Sequence, residues 1–172
     1  MNAEQAPRIV GLDLSLTCTG IADVAGTVTV KTKSRGPERL AEIRAVVRDY
    51  TRAADVVVIE GYAYGRHNGM AAIGELGGVI RLLLHTHGIA SVAVPPASLK
   101  RYATGRGNAT KDEVLGAAFK RFVGFDGGND EADAAWLRAM ALDHYGHAVC
   151  DMPAANRTAL DAISWPDLGG AA

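Results

Sequence analysis

Asp13 stands inside an apolar run, Ile9-Val10-Gly11-Leu12-Asp13-Leu14, that reads as a buried strand. A carboxylate there is costly unless its charge is compensated, and a metal ion compensates it well. Glu60 closes a second apolar run that begins at Val56. Asp130 and Asp133 are three residues apart in the first turn of a predicted helix, so they share one face. If the strands of Asp13 and Glu60 are neighbours, one sheet edge and one helix end gather four carboxylates. Such an oxygen cage suits Mg²⁺ or Mn²⁺, whereas zinc would want a His or Cys cluster that the spacing does not offer. Two ions about 3.5–4 Å apart can activate a water and stabilise the leaving oxygen of a phosphodiester. Glu131 is an alternative to either aspartate, but it points about 100° away from Asp130 on the helix. Taken singly, first-turn acids also suit the helix dipole, and a strand-end glutamate can simply mark the edge of a core. Asp13, apolar on both sides, has no such account.

Basic residues cluster just before the closing acids. Between Ser98 and Phe122 stand Lys100, Arg101, Arg106, Lys111, Lys120 and Arg121, opposed by Asp112 and Glu113 alone. Asp126 to Asp133 then carries four acids and no base. A basic segment abutting an acidic one fits a phosphate-handling metal site, although a solvated helix of mixed charge would look similar. The net charge of −1 gives no support to a nucleic-acid partner when taken as an average.

The elements that must position these groups follow from periodicity. After the first strand, Gly20–Val24 and Thr27–Lys33 read as two more, joined at Ala25-Gly26, which makes an antiparallel meander. A helix is predicted over Pro37–Ala53, a strand over Asp55–Glu60, and a glycine-containing helix from about Gly69 to His87. Gly74, Gly77 and Gly78 are expected to let that helix pack closely on the sheet. A strand over Ala90–Val94 and a short helix over Ala97–Tyr102 follow. Thr110 and Glu113 form a capping box for a further helix, packed through Val114, Leu115, Ala118, Phe119 and Phe122. The last long helix is predicted from an Asn129 cap to His144. The fold class is α/β, a five-stranded mixed sheet of a three-strand meander plus two parallel strands, flanked by helices. Residues 1–150 are read as one domain, and 151–172 as a tail, disordered in part or forming a short helix. The 172 residues, 48% hydrophobic and 22% charged, are those of an ordinary globular domain. No stretch is long and apolar enough for a membrane span, and Met1 to Pro7 has no signal pattern, so a cytoplasmic protein with reduced Cys18 and Cys150 is expected.

Four segments together resemble one known family: GLDLSLTCTG, VVVIEGYAYGRHN, PPASLKRYATGRGNATKDEV and NDEADAAWLRAMALDHYG. They are similar to the RuvC-type Holliday junction resolvases, over roughly Arg8 to Gly146. The resemblance implies a ribonuclease H-like fold, a homodimer, two Mg²⁺ or Mn²⁺ ions per site, and nicking of two symmetry-related strands of a four-way DNA junction. It places Asp13, Glu60, Asp130 and Asp133 as catalytic metal ligands. Lys111 matches the family's lysine in G-x-G-x-A-x-K, and Lys100 the lysine after the short strand. Arg66, Arg101 and Arg106 are candidate backbone contacts. Tyr62 and Tyr64 flank the place where the family often carries an aromatic that stacks on junction bases; as surface tyrosines on a glycine-rich loop they would need no such role. The segment after Asp13 departs from the family, with Leu14-Ser15 where many members have proline or glycine. Such departures suit a phage-borne or otherwise divergent member. A flap or fork nuclease shares the same expected site. An actin-like or sugar-kinase-like ATPase shares the first motif only, and an inactive DNA-binding module would not need all four acids.

Overall fold

Alternation along the central strands decides the layering. In β1 (Ile9–Asp13) and β4 (Val56–Glu60), Ile9, Val56 and Val58 enter one apolar core, whereas Val10, Leu12, Val57 and Ile59 enter another. Both faces of the sheet are therefore covered. This is why the two strands are near-continuous apolar runs rather than alternating ones. A computed structural model describes residues 5–61 and 70–168. In it, β1 pairs antiparallel with β2 (Cys18–Asp23), and β2 with β3 (Gly26–Lys31). On its other side β1 pairs parallel with β4, and β4 with β5 (Ala90–Val94). The strand order is β3-β2-β1-β4-β5, the meander plus two parallel strands expected from the sequence.

Helices α1 (Gly36–Thr51) and α2 (Met70–Thr86) cover one face through Ile43, Val47, Leu76, Ile80, Leu83 and Leu84. Helices α3 (Pro96–Thr104), α4 (Lys111–Arg121) and α5 (Asn129–His144) cover the other. Helix α5 is the central one. It lies on β1 and β2 and is itself covered by α3 and α4, so it is buried nearly all round from Ala132 to Asp143. Its sequence after the first turn, mostly apolar with only Asp133, Arg138 and Asp143 charged before His144, suits such a position.

Several local expectations are corrected. The β2–β3 turn is Val24-Ala25, closed by Asp23, whose carboxylate accepts the Ala25 N–H at 2.8 Å. The α5 cap is Gly128 rather than Asn129, and the Glu131 carboxylate accepts the Gly128 N–H at 2.7 Å. Gly74 and Gly78 do not pack on the sheet: a Cβ at either would meet nothing within 4 Å, because the stripe through Leu76, Ile80 and Leu83 puts them on the opposite side. Phe119 is half exposed rather than part of the packing face, and stands edge-on to Phe125. The Thr110–Glu113 capping box forms as expected, the Thr110 N–H reaching the Glu113 carboxylate at 2.8 Å.

The segment after α5 folds back onto α3. Ala159, Leu160 and Ile163 enter the core, and α6 (Ala154–Arg157) is a single turn. The anchor is the buried Asp143, which accepts from the Tyr102 hydroxyl at 2.9 Å and pairs with Arg157 at 2.8 Å. The Asn156 amide donates to the Tyr102 carbonyl at 2.8 Å. Burial and the Asp143 charge push the Tyr102 phenol well up, so it remains a donor. We expect Tyr102→Phe to cost about 1–3 kcal/mol by leaving a buried carboxylate short of a partner. A thermal melt checks this, at about 2–4 °C per kcal/mol for a chain of this length.

Candidate active site

The parallel pairing of β1 and β4 puts Leu12 opposite Ile59, so Asp13 and Glu60 emerge side by side at the same end of the sheet. The first turn of α5 meets them there. Ligand oxygens of Asp13, Glu60 and Asp133 all lie within 4.8 Å of one another. Asp13 and Asp133 are each only 7% exposed. Two glycines bring the helix this close. A Cβ on Gly11 would stand 2.1 Å from the Ala134 carbonyl oxygen, and one on Gly20 2.1 Å from that of Asp130. Neither glycine has a positive φ, so the absence of a side chain, not backbone freedom, is what the position needs. The loop from β1 to β2 is closed by the Thr19 hydroxyl, which donates to the Ser15 carbonyl at 2.6 Å and accepts the Ser15 N–H at 3.1 Å.

Three acids this close, two of them buried and Glu60 half buried, repel one another. Burial raises Asp13 most, and the charges of Glu60, Asp133 and Asp130 add to it, taking the group to about 8. Burial and the Glu60 charge raise Asp133 to about 7, with Lys111 opposing. Glu60 is raised by burial and held back by a hydrogen bond with Asp13 and by Lys111 and Lys100. A cluster in which every member resists ionisation answers to a cation that would neutralise it. All-oxygen donors and no nitrogen or sulfur fit Mg²⁺ or Mn²⁺ chemistry.

Asp130 lies outside the trio. It stands close enough to Cys18 to hold that thiol, with burial, up at about 11. Its charge still reaches Asp13 and Asp133. Glu131 is engaged in capping α5. Lys100 and Lys111 line the same cavity of about 280 Å³ as the trio, beside Leu14, Ile73, Pro96 and Leu99. Lys111 opens α4, where the helix dipole disfavours a cation, so helix stability does not explain its place. Arg101 is exposed on α3, and Arg106 is paired with Glu113, so neither lines the cavity. Tyr62, Tyr64 and Arg66 lie outside the described residues.

Known proteins are similar to this chain in sequence and in fold. The crossover junction endodeoxyribonuclease RuvC of Synechococcus sp. (strain WH7803) is 31% identical over 126 residues, covering 66% of this chain and 82% of the relative. The RuvC of Nocardia farcinica (strain IFM 10152) is 32% identical over 173 residues, 90% of each chain. This chain belongs to the RuvC family of crossover junction endodeoxyribonucleases. The solved structure of Thermus thermophilus RuvC covers 85% of this chain and 99% of its own, at TM-score 0.66 and 21% identity. T. thermophilus RuvC in complex with Holliday junction substrate gives 0.68 and 22%, over 86% and 99%. These likenesses show the common ribonuclease H-like fold. No protein-family model matches the chain. Of the four RuvC-like segments, the first forms the end of β1, its loop and the start of β2, the third α3 and the start of α4, and the fourth α5. The second forms β4 and then runs outside the described residues. Sequence reasoning passed over Gly11 and Gly20 as packing residues, although both stand inside the first segment.

Proposed function

We propose that the chain is a metal-dependent, structure-selective endodeoxyribonuclease that resolves Holliday junctions by nicking two symmetry-related phosphodiesters. The observation that carries this reading is the close trio Asp13, Glu60 and Asp133 in a cavity that Lys100 and Lys111 also line. Asp13, Glu60 and Asp133 would hold Mg²⁺ or Mn²⁺, with Asp130 adjacent as a further acid. Bound there, two such ions would supply a more acidic water and charge neutralisation at the scissile phosphate. The chain's own groups orient and select. Lys100 and Lys111 hold the phosphate against the repulsion of the acids and stabilise charge that develops in the transition state. The apolar wall of Leu14, Ile73 and Leu99 limits water beside the acids. Arg101, Arg106 and Arg66 add contacts to the backbone, and Tyr62 and Tyr64 stack on bases unpaired at the crossover. The N. farcinica and Synechococcus relatives are named for crossover-junction cleavage, and the T. thermophilus relative was solved with junction DNA, which favours a four-way junction over a flap or fork.

The test is cleavage of a four-way junction, a flap, a fork and a plain duplex with Mg²⁺ or Mn²⁺. Paired, symmetric nicks in the junction are expected. Equal cutting of flap or fork would turn the reading to a general branched-DNA nuclease, and no metal-dependent cutting of any of them would remove the nuclease reading.

Symmetric nicking calls for two copies, and α2 is the proposed contact. Leu82 is 65% exposed on it, and Gly74 and Gly78 leave open space on the same side, one and two turns before. Among the described residues, no helix is long and apolar enough to cross a membrane. Leu82→Arg is expected to convert a dimer to a monomer in sedimentation at micromolar concentration. A wild-type chain that is already monomeric there would refute the contact.

A further inference from the structure

The strand opposite the lysine flank ends in a second row of cations. From Lys31 to Arg35 the chain alternates: Lys31, Lys33 and Arg35 are exposed, and Thr32 and Ser34 are half buried. The alternation is fixed from below. The Glu42 carboxylate on α1 accepts from both the Thr32 and the Ser34 hydroxyls, the latter at 2.6 Å, and the Arg39 guanidinium donates to the Ser34 carbonyl at 2.6 Å. With two hydroxyls held inward, the three cations between and beside them face solvent. None of the three has an ion-pair partner among the described residues.

The row begins at the acid cluster. Lys31 pairs across the sheet with Cys18, which stands beside Asp130, three residues before Asp133. Gly20, two residues beyond Cys18 on β2, pairs with Asp13. The order across this end of the sheet is therefore cations at and just past the end of β3, the acids on β1, β4 and α5, then Lys100 and Lys111 on α3 and α4. An extended chain places every second residue about 6.6 Å apart. Cations at that spacing can each meet a separate phosphate of one strand. Structural needs do not explain the row, since one charge there would keep the surface soluble as well as three.

We propose that Lys31, Lys33 and Arg35 form a second phosphate-binding edge, which holds a duplex arm of the DNA across the ends of β3, β2 and β1. The inference rests on the proposed nuclease reading and extends it: the acids become the middle of a track with cations on both sides, not its end. Such contacts position the DNA without reading its sequence.

The test compares the full-length wild type with Lys31→Gln/Lys33→Gln/Arg35→Gln. Binding to a four-way junction is measured by fluorescence anisotropy in EDTA, between about 50 and 200 mM salt. Three lost phosphate contacts should reduce the slope of log affinity against log salt by about 2–3, and weaken binding about tenfold or more at the lower salt. Arg52→Gln, at the far end of α1, serves as the control for bulk charge and should leave the slope as it is. An unchanged slope in the triple variant overturns the proposal, even if cleavage falls. A slope change per charge as large in Arg52→Gln also overturns it, because the effect would then belong to net charge. The underlying reading fails separately, if wild-type protein with metal leaves branched DNA uncut.

Discussion

Asp13→Asn should abolish metal-dependent cleavage and, in the absence of metal, make the protein more stable. The two effects have one cause. Asp13 is nearly fully buried beside Glu60 and Asp133, and these charges with burial lift it from an ordinary 3.8 to about 8. Its ionised form is thus unfavourable in the folded chain unless a cation joins it. An amide keeps the size and removes the charge, so it relieves the repulsion but cannot hold the cation. Loss of charge stabilisation worth several kcal/mol at the phosphate corresponds to about a thousandfold or more in rate. The measurement is single-turnover nicking of a four-way junction, with binding in EDTA as the control. Wild-type nicking by the pure variant would remove Asp13 from the site.

The sign of the pH dependence follows from the same group. A folded-state pKa above the unfolded one means that the native state binds more protons between the two, so stability falls as pH rises. The contribution of Asp13 is whole below about pH 4 and lost as pH passes about 8; Asp133, lifted to about 7, behaves likewise over a narrower window. Metal-free wild type should therefore melt lower at pH 8 than at pH 5. Asp13→Asn should flatten that decline and, at pH 8, raise the melting temperature by about 2–4 °C for each kcal/mol of repulsion removed. Mg²⁺ should raise the wild type and leave the variant nearly unmoved, because binding to the folded state alone is what stabilises. A variant that gains as much from Mg²⁺ as wild type would place the ion elsewhere.

What the sequence made legible was governed by local pattern. The apolar runs around Asp13 and before Glu60, the helical spacing of α1 and α2, and the capping box of Thr110 and Glu113 each state their own structure. The pairing of β1 with β4 then follows from an intervening helix, and with it the meeting of Asp13 and Glu60. Less legible were properties that depend on what lies across space. Asp130 and Asp133 share a helix face, yet Asp133 alone of the two reaches the trio, and Asp130 stands beside Cys18 on β2. Glycines in α2 and in β1 look alike as letters, but Gly78 faces open space and Gly11 the backbone of α5. The fold-back of residues 151–168 depends on Asp143, whose partners Tyr102 and Arg157 stand 41 residues before it and well into the tail. No periodicity marks such a contact.

That contrast between glycines gives the second large effect. Gly11→Ala and Gly20→Ala each place a methyl group 2.1 Å from a carbonyl oxygen of α5, on Ala134 and Asp130 respectively. The obstructing atoms are helix backbone, which cannot swing aside as a side chain can, so the helix itself must move by roughly 1 Å. A misplacement of that size is enough to cost about a hundredfold in rate, since α5 carries Asp133 into contact with Asp13 and Glu60. Overpacking of this kind should also cost about 1–3 kcal/mol of stability. The same substitution at Gly78 has the opposite sign. It meets nothing within 4 Å, and alanine inside a helix gains about 0.5–1 kcal/mol over glycine. Nicking rates and melts of the three variants therefore separate position from residue type. Gly20→Ala with wild-type rate and stability would mean that some other contact sets the distance between α5 and the sheet, and that the trio does not depend on the bare backbone of β1 and β2.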